Sequence, residues 1–244
     1  MIVLGLTTST PRGGVAVCKG GEIVAVQRYV EPRGHGERLF EALDRAVRDA
    51  GIGPESLSAI GCDVGPGSFT GLRVALSAAQ GVSLARGLPL VGVGSLEAMA
   101  FAAFELEPRT PRVVAFVNAH KGEVFSSVLA WKDGDVVAEE PPRAFSPEAA
   151  ADRARAAHQR GDLVVGEVVE QFAPGIAFRD PATDLPDAGV IATIAAKRLA
   201  ATTHTQGIEA VYGREPDVTR ATPRRATDGL DSATNVGSSG RSPA

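Results

Sequence analysis

The chain has 244 residues, enough for one large domain or two small lobes with a self-sufficient core. A net charge of −4 and a pI near 5.6 are not the footprint of a stand-alone nucleic-acid binder, and 4 His and 2 Cys support neither a cysteine-rich metal cluster nor a disulfide framework. With 9 Phe, 2 Tyr and 1 Trp against 28 Gly, the core must rely on aliphatic side chains and close backbone approach.

Met1 leads straight into the β-branched run Ile2 to Leu6, without a basic leader, so a cytoplasmic chain is expected. A second strand is predicted at Val15 to Lys19, after the break at residues 11–14. Gly20-Gly21 then turns the chain into a third strand, Ile23 to Val30. From Glu37 the apolar residues Leu39, Phe40, Leu43, Val47 and Ala50 recur at helical spacing until Gly51. His35 reads as an exposed residue ahead of that helix. Leu57 to Val64 is a buried strand, Leu72 to Arg86 a helix ended by Gly87, and Leu90 to Val93 another strand. Ser95 is expected to cap a helix containing Glu97 to Leu106. Cys18 and Cys62 lie in apolar runs and read as buried free thiols.

Residues 108–111 are the best linker candidate. Beyond them a second strand meander is expected at Val113 to Asn118, Glu123 to Trp131 and Val136 to Glu139. A helix opened by Ser146, a strand at Leu163 to Gly166 and a helix at Ala188 to Ala201 follow. Trp131 reads as core. No apolar stretch reaches the roughly 18 residues of a membrane span. His35, His120, His158 and His204 are too far apart for an HExxH zinc site.

The most informative segment is Gly65-Pro66-Gly67-Ser68-Phe69-Thr70-Gly71-Leu72-Arg73, between a buried strand and a helix. Two readings stand. Glycines and a helix N-terminus, with Arg73 in its first turn, make an attractive anion site. Equally, the segment is a tight strand-to-helix turn whose Gly71 permits close packing. It is not a P-loop, because no Lys follows Thr70, nor a dinucleotide fingerprint, because Thr70 replaces the third glycine.

Residues 65–100, GPGSFTGLRVALSAAQGVSLARGLPLVGVGSLEAMA, closely resemble the TsaB (YeaZ) family of bacterial proteins that support synthesis of N6-threonylcarbamoyladenosine at adenosine 37 of tRNA. LGLTTST (4–10), EPRGHGERLFEALDRAVRDAG (31–51), NAHKGEVFSSVL (118–129) and VYGREPDV (211–218) add to the match. The resemblance implies an α/β fold of the actin-like ATPase type, shared with sugar kinases and Hsp70, in two lobes that each carry a mixed sheet flanked by helices. The lobes would be residues 1–108 and 109–221, with a disordered tail over 222–244. It also implies a non-catalytic scaffold that binds and activates a paralogous transferase, TsaD, alongside a small ATPase, TsaE. Contact with tRNA would be indirect, ATP and Mg²⁺ would sit on the partners, no cofactor would be intrinsic, and the chain alone could form a homodimer.

In the family the pairing surface is built from two helices, here about 36–50 and 70–86. The expected contact residues are Leu39, Phe40, Leu43 and Val47 on the first, and Gly71, Leu72, Ala75, Ala78, Ala79 and Val82 on the second. The chain departs from the family at two places. The usual DTST reads Thr7-Thr8-Ser9-Thr10, and the usual DAR-x-GEV reads Asn118-Ala119-His120-Lys121-Gly122-Glu123-Val124. A hydroxyl and an amide replace two carboxylates, and neither supplies the charge a divalent ion needs. Thr7 and Asn118 therefore mark a degenerate nucleotide site. The alternative is an actin-like phosphotransferase or ATP hydrolase acting on a small substrate through the glycine-rich turn.

Overall fold

The computed structural model describes residues 1–31, 34–120 and 122–201. Lys121, the 211–218 segment and the 222–244 tail lie outside them. Three strands open the chain: β1 (Ile2–Thr7), β2 (Arg12–Lys19) and β3 (Glu22–Val30). β2 begins earlier than its apolar run suggests, because Arg12, Gly13 and Gly14 pair with β3 although they contribute little hydrophobic signal. Then follow α1 (Gly36–Asp49), β4 (Ala59–Gly65), α2 (Phe69–Arg86), β5 (Leu90–Gly94) and α3 (Ser95–Leu106). The second half contributes β6 (Arg112–His120), β7 (Glu123–Lys132), β8 (Asp135–Phe145), α4 (Pro147–Gln159), β9 (Leu163–Val165), α5 (Pro181–Asp184) and α6 (Ala188–Ala201).

The first sheet has the order β3-β2-β1-β4-β5, and the second β8-β7-β6-β9. In each, an antiparallel meander is extended by parallel strands. Two mixed sheets flanked by helices are the architecture expected. Local chemistry sets several helix ends. The Ser68 hydroxyl accepts from the Gly71 N–H at 3.3 Å, Gly87 closes α2 with a φ of 63°, and Ser146 caps α4 ahead of Pro147. Ser95 is not a cap; it lies inside α3, and Glu97 instead accepts from the Gly94 N–H at 3.1 Å.

Alternation along β1 assigns the faces. Leu4 and Leu6 join Leu39, Ala42 and Ala46 of α1 and Ala75, Leu76 and Ala79 of α2 in one core. Val3 points the other way, against Ala192, Ala195 and Ala196 of α6. On that face, a Cβ at Gly61 would come within 2.7 Å of the Ala195 methyl, and one at Gly5 within 2.8 Å of that of Ala192. The expected reliance on close backbone approach is therefore met where α6 lies on β1 and β4.

The strands divide between the sheets on either side of the 108–111 linker, but the helices do not. α6 covers the first sheet, whereas α3 packs on β6 of the second, so each sheet is completed by a helix from the other half. Arg198 of α6 ties this crossing together by donating to Glu97, to Asp135 at 3.0 Å and to the Gly92 carbonyl at 3.3 Å. α4 covers the far face of the second sheet. Trp131 is 39% exposed and tilts against Phe101 and Phe104 at the rim of the α3 core. Cys18 and Cys62 are buried free thiols, as expected. No helix among the described residues is long and apolar enough to cross a membrane.

Candidate functional site

The C-terminal ends of β1 and β4 meet the start of α3 beside the second sheet. A carboxylate that the sequence reading did not single out is buried there. Asp63 of β4 is fully buried, and both of its oxygens are occupied. Oδ2 accepts from the Thr7 hydroxyl at 2.7 Å and the Ser9 hydroxyl at 2.5 Å; Oδ1 accepts from the Ser95 hydroxyl at 2.6 Å and the Gly65 N–H at 2.9 Å. Burial pushes the Asp63 carboxyl above its usual range, against the pull of these four donors. Thr7 thus does not stand alone where the family carries its first carboxylate. A carboxylate reaches it from the neighbouring strand, caged so that no oxygen faces the cleft.

The glycine-rich turn is closed by the chain itself. The Ser68 N–H donates to the Ser9 carbonyl at 2.7 Å, and the Thr8 hydroxyl donates to the Gly71 carbonyl at 2.6 Å. A Cβ on Gly67 would sit 2.8 Å from the Ser9 Cβ, and one on Gly71 would overlap the Thr8 carbonyl. Pro66 is buried beside the cis peptide it forms with Gly65. The glycines admit the β1–β2 loop, not a ligand, so the anion-site reading gives way to the tight-turn reading. Thr70 is exposed. The Arg73 guanidinium lies 3.8 Å from the centroid of the Phe69 ring, on the surface and away from the cleft.

Across from this cluster, Asn118 at the end of β6 lines a cleft with Ser9, Thr10, Phe116, Glu167 and Asp184. The structure therefore brings Asn118 opposite the β1 end, as the two family departures imply. The cleft has room for about 60 Å³, whereas small-molecule sites run to roughly 300–1,000 Å³. Arg12 holds its walls together by donating to the carbonyls of Pro181 at 2.6 Å, Pro186 at 3.2 Å and Leu185. Among the described residues, no group of three or more His, Cys, Asp or Glu is placed to hold a metal ion. Of the carboxylates here, Asp63 is caged by its four donors, whereas Glu167 and Asp184 line the cleft itself, which as it stands is smaller than such sites usually are.

The expected pairing residues divide by burial. Leu39 and Val47 of α1, and Gly71, Leu72, Ala75, Ala78 and Ala79 of α2, are buried within the chain, whereas the expectation places them in contact with a partner. The apolar stripe found by helical spacing is spent on the sheet below. Leu43 and Val82 are half-buried, and Phe40 is 58% exposed. Phe69 (51% exposed) and Leu84 (88%) also project outward, and Gly81 has nothing within 4 Å of where its Cβ would be. His35 corrects another expectation. It is 6% exposed, buried against Tyr29 at the start of α1.

Comparison with known proteins gives a consistent result. Residues 25–140 match the family model described as TsaD, tRNA N6-adenosine threonylcarbamoyltransferase. The tRNA threonylcarbamoyladenosine biosynthesis protein TsaB of Escherichia coli is 30% identical over 223 residues, covering 88% of this chain and 95% of that protein. The TsaB of Haemophilus influenzae is 37% identical over 133 residues, so the match spans 54% of this chain and only 56% of that relative. The solved structure of YeaZ from Pseudomonas aeruginosa superposes with a TM-score of 0.69 at 27% identity, covering 86% of this chain and 95% of that one.

Proposed function

The chain belongs to the TsaB (YeaZ) family of tRNA threonylcarbamoyladenosine biosynthesis, and from that premise we propose that it is a non-catalytic scaffold which pairs with the TsaD transferase and holds it in an active arrangement. The observation that carries this reading is the filled site. Thr7, Ser9, Ser95 and Gly65 spend their donors on Asp63, and the Ser9 carbonyl takes the Ser68 N–H at the cap of α2. The place where actin-like enzymes hold nucleotide is packed with the chain's own groups. ATP and Mg²⁺ belong to the partners, with TsaE as the ATPase of the assembly, and tRNA is engaged through the transferase.

Pairing is assigned to the outer surfaces of α1 and α2, through Phe40, Leu43, Phe69, Val82 and Leu84 around the flat position Gly81. The match to the transferase model over residues 25–140 supports this, because it includes both helices. A paralogue with the same helix pair would meet it about a pseudo-twofold axis, and the same surface could join two copies of this chain when it is alone. The test is reconstitution with TsaD, TsaE, the adenylate-forming enzyme and tRNA. Modified adenosine should accumulate only when this chain is added. Equal accumulation without it overturns the scaffold role, and Mg²⁺-dependent ATP turnover by the chain alone favours the phosphotransferase alternative.

A further inference from the structure

A second cavity lies far from the β1 and β4 ends, between α4 and the strands β6, β7 and β8 of the second sheet. It has room for about 530 Å³, and its charged lining is Arg112, Arg153, Arg160, Glu139, Glu140 and Asp152. That volume falls in the roughly 300–1,000 Å³ range of small-molecule sites, which the cleft at Asn118 does not reach.

Each guanidinium is held in place before any ligand arrives. Arg112 grips Asp162 with Nε at 2.9 Å and Nη2 at 3.2 Å. Arg160 holds the same carboxylate through Nε at 3.1 Å and Nη2 at 3.0 Å. The Asp162 side chain is 1% exposed, so this anchor is shielded from water. Arg153 donates from Nε to the Ser126 hydroxyl at 3.1 Å and from Nη2 to Glu140 at 2.7 Å, and its guanidinium lies 5.0 Å from the centroid of the Phe145 ring. A guanidinium carries five N–H donors. In all three arginines Nη1 has no partner among the described residues.

The charges do not cancel. Two guanidiniums on the single carboxylate of Asp162 leave one positive charge over. Every other carboxylate is matched once: Glu140 by Arg153, Glu139 by Lys132 at 2.8 Å and Asp152 by Arg155 at 3.3 Å. A surplus cation with spare, rigidly placed N–H groups suits a compact oxyanion, because guanidinium forks match phosphate geometry. The three lining carboxylates repel a polyanion, yet they accept hydrogen bonds from hydroxyl groups. The hydrogen bond from Lys132 holds the Glu139 carboxyl below its usual range, so it stays an acceptor. The cavity is also larger than a phosphate alone needs. We propose that it binds a phosphomonoester of a small polyhydroxylated compound, of the sugar-phosphate class. The phosphate sits on Arg112, Arg153 and Arg160, and the hydroxyls face Glu139, Glu140 and Asp152. α1 and α2 take no part, so this site stands or falls independently of the pairing role.

The test uses the full chain with ribose 5-phosphate, and with inorganic phosphate and ribose as controls, read by calorimetry. Ribose 5-phosphate should bind with a Kd of about 1 mM or tighter, phosphate at least about threefold more weakly, and ribose not at all. Arg160→Gln leaves Asp162 its two bonds from Arg112, so the variant should keep the wild-type thermal midpoint. Its affinity for ribose 5-phosphate should fall by about tenfold or more, the loss of a charge-assisted hydrogen bond. Glu139→Gln should strengthen phosphate binding by removing a repelling charge. Backbone amide shifts on adding ribose 5-phosphate should map to α4, β7 and β8. Absence of saturable binding, equal affinity in Arg160→Gln, or shifts confined to other elements overturns the site. Equal affinity for phosphate and ribose 5-phosphate, or binding of ribose alone, overturns the assigned ligand class.

Discussion

The N-terminal ends of α1 and α2 and the outer faces of the same helices make opposite use of small and polar residues. At the ends, Gly67, Gly71 and His35 lie against the backbone of the β1–β2 loop. One turn and more along, Gly81 meets nothing, and Phe40 and Leu84 stand in solvent. A glycine at the end removes a clash within the chain. A glycine on the face costs helix stability and removes nothing. The first is explained by this fold alone, whereas the second has no packing role within the described residues and is the face proposed for pairing.

Substitutions can break that contrast in order of expected size. Gly71→Ala should be the most damaging, at about 3 kcal/mol or more, because its methyl overlaps the Thr8 carbonyl and backbone must move. Urea unfolding measures it, and a midpoint close to wild type would show that the β1–β2 loop yields. Asp63→Asn should cost about 2–3 kcal/mol, since an amide N–H₂ would face donors that now converge on a carboxylate. An unchanged thermal midpoint would demote the cage to a bystander.

On the face, Leu84→Glu should leave folding intact and weaken transferase binding by roughly tenfold or more, seen by calorimetry. Intact affinity would remove the end of α2 from the interface. Gly81→Ala should raise stability by about 1 kcal/mol, from helix propensity, while lowering the same affinity. The opposite signs separate a face reserved for contact from one merely left bare.

The smallest effect concerns pH. Burial lowers the His35 pKa from its ordinary 6.5. The unfolded chain therefore takes up a proton first, and the stability His35 contributes is present above about pH 6.5 and lost as pH falls through its folded value. His35→Gln should flatten that part of the stability–pH curve.

Element order could be read directly from the sequence, because hydrophobic period and turn chemistry are local, whereas the glycine-rich turn kept two readings until the β1–β2 loop was seen against Gly67 and Gly71. Asp63 could not be placed so easily. It sits inside the apolar run Ile60 to Val64, and its side-chain partners come from positions 7, 9 and 95. A lone acid in a buried strand was the available signal, because a charge there needs donors. The family departure at Thr7 looked like a loss when read along β1, yet the neighbouring strand returns a carboxylate to the same spot. The faces of α1 were legible only in part. Helical period gives Leu39, Phe40, Leu43 and Val47 together, and does not separate Leu39 and Val47, buried on the sheet, from Phe40, which is exposed.

The exchange of helices between the halves bears on synthesis. When β1 and β4 have left the ribosome, the strip of backbone at Gly5 and Gly61 is still uncovered, and its lid is encoded at residues 188–201. No prefix of the nascent chain can seal its first sheet, so vectorial, lobe-by-lobe folding is closed to this protein. The earliest strands must wait, sheltered by α1 and α2 on one side only, until α6 has emerged.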